Sequence, residues 1–354
     1  MQINTLCGTN DFIESLRGKS ATYILSMSTT DTSNIEGITQ AGLPGLIYLT
    51  PTLDAEFIAI GDVRSLKDIA VTPKGVPTPG LITRAVHLLK PFSNMEFLNL
   101  GIKQLPQIEY FKIHNFNIKP SNSIDQGANI NALEIFEKGV QFGTNYKLKD
   151  DYIILGESVP SGTTTATATA MGLGYDVKGM FSSSFKDVPN DIKNKTIQSA
   201  LNNLKKDDDI FAILGKVADN MLIFNAGFLL GANKNKTKII LAGGTQMACV
   251  LLIVNAIVNS MGGAFDSSNT ALCTTSWVAN DSNSDIVSLL KMNDFNINAY
   301  ASDFNFSSSQ HPALELYEQG EAKEGVGAGG ALVYGALNGL QTNNIVQQVE
   351  QFLG

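Results

Sequence analysis

Apolar residues recur along the chain in two rhythms. Short β-branched or aromatic runs at Tyr23–Met27, Phe57–Ile60, Phe97–Leu100, Tyr152–Leu155, Lys238–Leu241 and Thr270–Val278 predict strands. Longer segments with helical spacing lie between most of them, at Leu81–Leu89, Ala132–Phe142, Ile192–Leu204, Ile210–Val217 and Met221–Leu230. Strands that alternate with helices in this way predict an α/β fold, a mostly parallel sheet covered by helices on both faces. The longest apolar run, Met247–Val258, is too short to span a bilayer and reads as a buried helix. Val71–Gly80, with three prolines, reads as an irregular connection, and the polar stretches Asn280–Asp285 and Ser307–Ser309 read as surface loops.

In sheets of this kind ligands bind beyond the carboxyl ends of the strands, and glycines stand there: Gly156 after one run, Gly243 and Gly244 after another. The first of these places carries the most chemistry. G-E-S-V-P-S-G-T-T-T, residues 156–165, links the Tyr152–Leu155 run to a helix-like Ala/Thr run over Ala166–Leu173. A strand that leaves through a Gly/Pro/Ser loop and re-enters as a helix gathers free backbone N–H groups at one point, which suits a phosphate. No lysine follows the glycine, so the loop is not the triphosphate cradle of the ATPases. Glu157 stands at its mouth, and a carboxylate beside a bound phosphate ester suggests chemistry on a nucleotide monophosphate.

Bulk properties narrow the partners. The 354 residues carry a net charge of −8 with lysine and arginine dispersed, which leaves no electrostatic footprint for a nucleic acid or an anionic membrane. The three cysteines (Cys7, Cys249, Cys273) and three histidines (His87, His114, His311) show no paired or metal-binding spacing, so reduced thiols and no sequence-local zinc site are expected. The N-terminus lacks the basic start and apolar stretch of a signal peptide, and a soluble cytoplasmic protein is expected.

A second glycine cluster, G-V-G-A-G-G at 325–330, satisfies the dinucleotide pattern G-x-G-x-x-G. Its context rejects an NAD site: Gln319–Glu324 is polar rather than a strand, and too little chain follows to complete a βαβ unit. These glycines would instead let a helix start approach another backbone closely. For Glu324 and Glu157 the plain alternative to catalysis is a favourable charge at a helix N-terminus, which contributes roughly 0.3–1 kcal/mol. For Thr163, Thr164 and Thr165 that alternative is helix capping, and His311 before Pro312 reads as a turn residue.

Together the motifs carry a resemblance. G-E-S-V-P-S-G-T-T-T-A at 156–166, the block from Gly215 through L-A-G-G-T-Q-M-A at 241–248, and H-P-A-L-E-L-Y-E-Q-G-E-A-K-E-G-V-G-A-G-G at 311–330 resemble the nicotinate-nucleotide-dimethylbenzimidazole phosphoribosyltransferases. The resemblance is closest to their archaeal-type branch, to which V-T-P-K-G-V-P-T-P-G-L-I-T-R-A at 71–85 is also similar. It implies a doubly wound, Rossmann-like α/β domain over 21–330 and a small helical domain from 1–20 and 331–354. It also implies transfer of 5-phosphoribose from nicotinate mononucleotide to a benzimidazole-type base by a homodimer, without metal or cofactor. By the same resemblance Glu324 and Glu157 are the catalytic carboxylates. Gly162, Thr163 and Thr164 form the phosphate cradle, with Gly243, Gly244, Gly325 and Gly327 around the nucleotide. Val326 stands where the family has serine or threonine. The resemblance leaves open a different acceptor (another benzimidazole, a purine or a phenol) and a nucleotide-binding protein without activity.

Overall fold

The computed structural model describes residues 1–67 and 71–354. Eight strands form one sheet: β1 Ile3–Cys7, β2 Ala21–Met27, β3 Asn94–Asn99, β4 Lys112–Asn115, β5 Tyr152–Ser158, β6 Ile239–Ala242, β7 Thr270–Thr274 and β8 Asn298–Ser302. The helices of the first half are α1 Asp11–Glu14, α2 Thr50–Ile60, α3 Gly80–Leu89, α4 Ala132–Asn145, α5 Gly162–Gly172, α6 Asn190–Leu201 and α7 Ile210–Val217. Those of the second half are α8 Asn220–Asn233, α9 Thr245–Ser260, α10 Ser276–Ala279, α11 Ile286–Lys291, α12 Pro312–Glu318, α13 Ala328–Leu337 and α14 Thr342–Leu353.

The strand order is β1-β8-β7-β6-β5-β2-β3-β4, and every pair is parallel except β1 with β8. From β2 the chain runs outward through β3 and β4, then returns to the other side of β2 and runs outward again from β5 to β8. The reversal falls between β2 and β5, where Ser26 pairs with Glu157 and Met27 with Ser158. At such a switch point the two adjoining connections leave in opposite directions and open a crevice beyond the strand ends.

Alternate strand residues face opposite sides, so an interior strand buried on both faces is apolar throughout. Tyr23, Leu25, Tyr152 and Ile154 join the core beneath α2, α3, α13 and α14, whereas Ile24, Ile153 and Leu155 join the core beneath α4, α8 and α9. Phe304 and Phe306 are buried in the first core. Met247–Val258 lies within α9, buried almost throughout.

Two expectations are corrected. Phe57–Ile60 belongs to α2, a helix buried on nearly every side, so its sequence shows no amphipathic period. Thr270–Val278 divides after Thr274, because Thr275 accepts a hydrogen bond from Val278 N–H and starts α10. Residues 1–20 supply the sheet's antiparallel edge strand and the short helix α1, and α13 packs directly on β5, β6, β7 and β8. The edge strands β1 and β4, and β8 beside β1, are short and partly polar, so they show no clear alternation in the sequence.

Candidate functional site

The crevice at the switch point is a narrow cleft with a cavity volume of about 130 Å³, open to solvent. Its walls come from the end of β5 and the start of α5 (157–163), from Ser182–Ser184, from Gly244–Gln246 after β6, from 322–326, and from α2 with the 71–79 segment. Among the described residues no aromatic side chain lines it; Ile38, Val76, Pro77, Pro79, Val159, Val278 and Val326 supply its apolar surface.

One side gathers polar groups at a helix start. Ser161 adopts the left-handed conformation (φ 60°), which turns the chain sharply into α5 without a side-chain cap. None of the three threonines caps the helix: Thr165 Oγ1 donates to Asp219, Thr164 Oγ1 is buried without a partner among the described residues, and Thr163 Oγ1 accepts from Lys193 Nζ at 3.0 Å. Ser161 Oγ is likewise buried and, among the described residues, unpartnered, so polar capacity is left over where a ligand would sit. Gly162 is packed so tightly against the Gln246 side chain that a Cβ would collide with it.

Lys193, on α6, is only 5% exposed, and burial together with the nearby Lys323 pushes its pKa down to about 8. Lys323 is buried on the cleft wall, donates to the carbonyls of Ser183 and Phe185, and pairs with Asp281 at 3.2 Å. Two buried ammonium groups therefore stand near the N-terminus of α5, whose dipole also favours negative charge.

Two acids, the buried Glu157 and the half-buried Glu324, occupy the other part of the cleft. Glu157 is 3% exposed; burial, helped by the charges of Glu324, Asp219 and Asp54, pushes its pKa up to about 8. Glu324 takes four hydrogen bonds, from Gly325 and Gly329 N–H on Oε1 (3.2 and 3.0 Å) and from Thr274 Oγ1 and Thr275 N–H on Oε2 (3.2 and 2.9 Å). Burial raises its pKa to about 7 against the pull of those donors. Glu324 thus does tie down the start of α13, the structural role open to it in the sequence, while its carboxylate also faces the cleft.

The backbone after Glu324 is held in sparsely populated conformations. Val326, β-branched, sits at φ 52°, a conformation that persists only when its surroundings over-determine it. Its N–H donates to the Glu157 carbonyl at 2.9 Å, and its own carbonyl accepts from Tyr23 and Thr83 hydroxyls, both at 2.7 Å. The loops bearing the two glutamates are thereby bonded to each other. Gly156 permits the approach, since a Cβ there would lie 2.7 Å from Tyr23 Oη and 3.1 Å from Gly327 Cα.

Of the residues singled out in the sequence, Glu157, Gly162, Thr163, Gly244, Glu324 and Gly325 line this one cleft. Thr164, Gly243 and Gly327 lie behind it: Gly243 donates to the Cys273 carbonyl, and Gly327 packs on Tyr23 and Gly156. His311 caps α12 by accepting from Ala313 N–H. Lys193, Lys323, Ser161 and Asp54 were missed. Lys193 gave no signal, because N-D-I-K-N-K reads as a solvated helix; Lys323 lay inside the 311–330 block without standing out from it.

No family model matches the sequence. Among curated proteins it is 36% identical over 343 residues to a UPF0284 protein of Saccharolobus islandicus, spanning 95% of this chain and 93% of that one. It is 35% identical over 354 residues to a UPF0284 protein of Sulfurisphaera tokodaii, spanning 99% and 97% of the two chains. Among solved structures it is similar to the nicotinate-nucleotide-dimethylbenzimidazole phosphoribosyltransferase of Thermus thermophilus (TM-score 0.58, 12% identity, 95% of this chain and 83% of that one). A second structure, described as CobT from the same organism, matches with the same score and identity over 96% and 90% of the chains. The likeness to these enzymes lies in the α/β fold with its mostly parallel sheet. Among the described residues no helix is long and apolar enough to cross a membrane. By sequence, over nearly its whole length, the chain belongs to the UPF0284 family, whose archaeal members are its relatives here.

Proposed function

We propose that the protein is a phosphoribosyltransferase that moves 5-phosphoribose from nicotinate mononucleotide to 5,6-dimethylbenzimidazole or a related base. The products are the α-linked ribotide used for the lower ligand of cobamides, and nicotinate. The observation that carries this reading is one cleft at the sheet's switch point with a helix start and its unpartnered hydroxyls on one side and the buried Glu157 and half-buried Glu324 on the other. The same reading takes the protein as a cytoplasmic homodimer.

In this mechanism the α5 turn, Thr163 and Lys193 hold the phosphate, which takes no part in the reaction. A lone pair on one acceptor nitrogen forms a bond to the anomeric carbon while the bond to nicotinate breaks on the opposite side. The electron pair of the broken bond stays on the pyridine nitrogen, and the carbon inverts from β to α. Fixing both rings in line about one carbon supplies much of the acceleration by orientation. The acceptor's second nitrogen becomes acidic as the bond forms, and its proton passes to Glu324 as one of that carboxylate's two longer hydrogen bonds, from Gly325 N–H or Thr274 Oγ1 at 3.2 Å, gives way. With a pKa of about 7, Glu324 is matched to work as a base near neutral pH. Glu157, with a pKa of about 8, carries a proton there and donates a hydrogen bond that orients a ring.

Incubating the purified protein with nicotinate mononucleotide and a panel of bases, and following nicotinate release, tests the reading. Release with a benzimidazole is expected. Nucleotide binding without release from any base would leave a binding protein in place of a transferase.

A further inference from the structure

Asp54, on α2, is 2% exposed and lies on the cleft wall. Its carboxylate accepts from Thr78 Oγ1 at 2.7 Å and from Ser158 Oγ at 2.6 Å, one bond on each oxygen. A carboxylate offers about four acceptor positions, so roughly two are left. Among the described residues no ion pair includes Asp54. A buried acid with no cation and spare acceptor capacity is costly unless something else satisfies it.

Its surroundings show what that something would be. The same wall carries Val76, Pro77, Pro79 and Val326, an aliphatic surface suited to the face of a flat ring. Pro79 borders Gly325, the residue after Glu324: its Cγ lies 3.7 Å from where a Cβ on Gly325 would be. A ring on this surface with one nitrogen directed at Glu324 would bring its far edge toward Asp54. Two methyl groups there would cover the carboxylate without bonding to it, whereas an O–H or N–H would donate to it.

We infer that Asp54 sets acceptor specificity, selecting a heteroaromatic base that carries a hydrogen-bond donor, hydroxyl or amino, on its six-membered ring in preference to the dimethyl-substituted base. This rests on the phosphoribosyl-transfer reading above and narrows its acceptor.

The test is nicotinate release from nicotinate mononucleotide by the full chain with benzimidazole, 5-hydroxybenzimidazole, 5,6-dimethylbenzimidazole and adenine, for wild type, Asp54→Asn and Asp54→Ala. The wild type is expected to favour a donor-bearing base over the dimethyl base by about tenfold or more in kcat/KM, the range for a hydrogen bond to a charged group. That ratio is expected to fall toward unity in Asp54→Ala and to fall less in Asp54→Asn, which keeps an acceptor oxygen. The wild-type panel stands by itself if the alanine variant does not fold. Equal or better use of the dimethyl base by the wild type overturns the assignment, as does a ratio that survives both substitutions. A uniform rise in KM for the nucleotide with the ratio unchanged places Asp54 on the ribose and also overturns it. No nicotinate from any base defeats the transfer reading and the acceptor assignment together; release with methyl preference defeats the latter alone.

Discussion

Lys193 Nζ donates to Thr163 Oγ1 across 3.0 Å, tying α6 to the first turn of α5. Burial and Lys323 lower the lysine's pKa to about 8, so an anion arriving at the helix start relieves a charge that the protein alone holds poorly. Lys193→Met is expected to weaken nicotinate mononucleotide binding about ten- to a hundredfold, since hydrogen bonds to charged groups contribute about 1.5–3 kcal/mol. Binding of the phosphate-free riboside should hardly change. Wild-type affinity for the nucleotide should also decline as pH rises through about 8, where Lys193 loses its proton. Calorimetric titration of both ligands checks this; equal losses for the two would remove the lysine from the phosphate.

Glu324→Gln keeps an oxygen and an amide in place of a base. Turnover is expected to fall about 10²–10⁴-fold, the usual contribution of a positioned proton acceptor, with the nucleotide Kd nearly unchanged. In the wild type, kcat should rise with pH through about 7 as Glu324 ionises, then fall beyond about 8 as Glu157 loses the proton it donates. Single-turnover rates across pH 5.5 to 9 (about the range both groups span) decide it. A flat profile would take both carboxylates out of the chemistry.

Much of this site was readable from the chain because its parts are local. A strand, a Gly/Pro/Ser loop and a helix start are consecutive in 152–166, so Glu157 and the helix start proposed to hold phosphate appear together in one segment. Glu324 was legible through the glycines that follow it. Lys193 and Asp54 were not, because Lys193 meets Thr163 and Asp54 lines the cleft from two separate helices, and the sequence around each carries no mark of the distant contact. The same reasoning explains α2: Leu53, Ala55, Phe57 and Ile58 are all buried, so no polar face betrayed the helix, and its β-branched end read as a strand.

The buried acids make folding stability depend on pH. Glu157, Glu324, Asp54 and Asp219 all bind their protons more tightly in the folded chain, with pKa values of about 8, 7, 6 and 6 against ordinary values of 4.5 or 3.8. Their stabilising contribution is complete below about pH 4 and is lost as pH rises through these values to about 8. Lys193, shifted down, acts in the opposite sense only above about pH 8. The ligand-free protein is therefore expected to be more stable at pH 5 than at pH 8. Glu157→Gln should flatten that slope and gain on the order of a few kcal/mol at pH 8, because a tenfold change in proton affinity corresponds to about 1.4 kcal/mol. Denaturant midpoints at the two pH values measure it, and a steeper slope in the variant would contradict the assignment.

Tyr23 and Thr83 both donate to the Val326 carbonyl, and this pair of hydrogen bonds holds the Glu324 loop against an unfavourable φ. Tyr23→Phe and Thr83→Val should each cost about 1 kcal/mol, since the carbonyl keeps one donor. Removing both leaves it buried and unpaired, so the double variant should lose about 1–3 kcal/mol more than the singles together. Urea unfolding of the four proteins gives the coupling directly; strict additivity would mean that the carbonyl finds another donor.

α13 is pressed against the sheet through Gly329 and Gly330, and Gly329 also donates to Glu324. A Cβ on Gly329 would meet the backbone of Thr274 and lie 2.6 Å from Glu324 Oε2. Backbone cannot swing aside as a flexible side chain can, so Gly329→Ala must move the helix away from β7 and loosen the carboxylate. A loss of about 1–3 kcal/mol is expected, the range for overpacking, together with a fall in kcat. Gly335, in the same helix, faces only the ends of the Leu340 and Met1 side chains at 3.3 and 3.5 Å. There alanine should be near neutral, its helix propensity offsetting the tighter contact, with turnover unchanged. Comparing stability and kcat of the two variants separates close packing at the site from a general intolerance of α13 to larger residues, which would impair both alike.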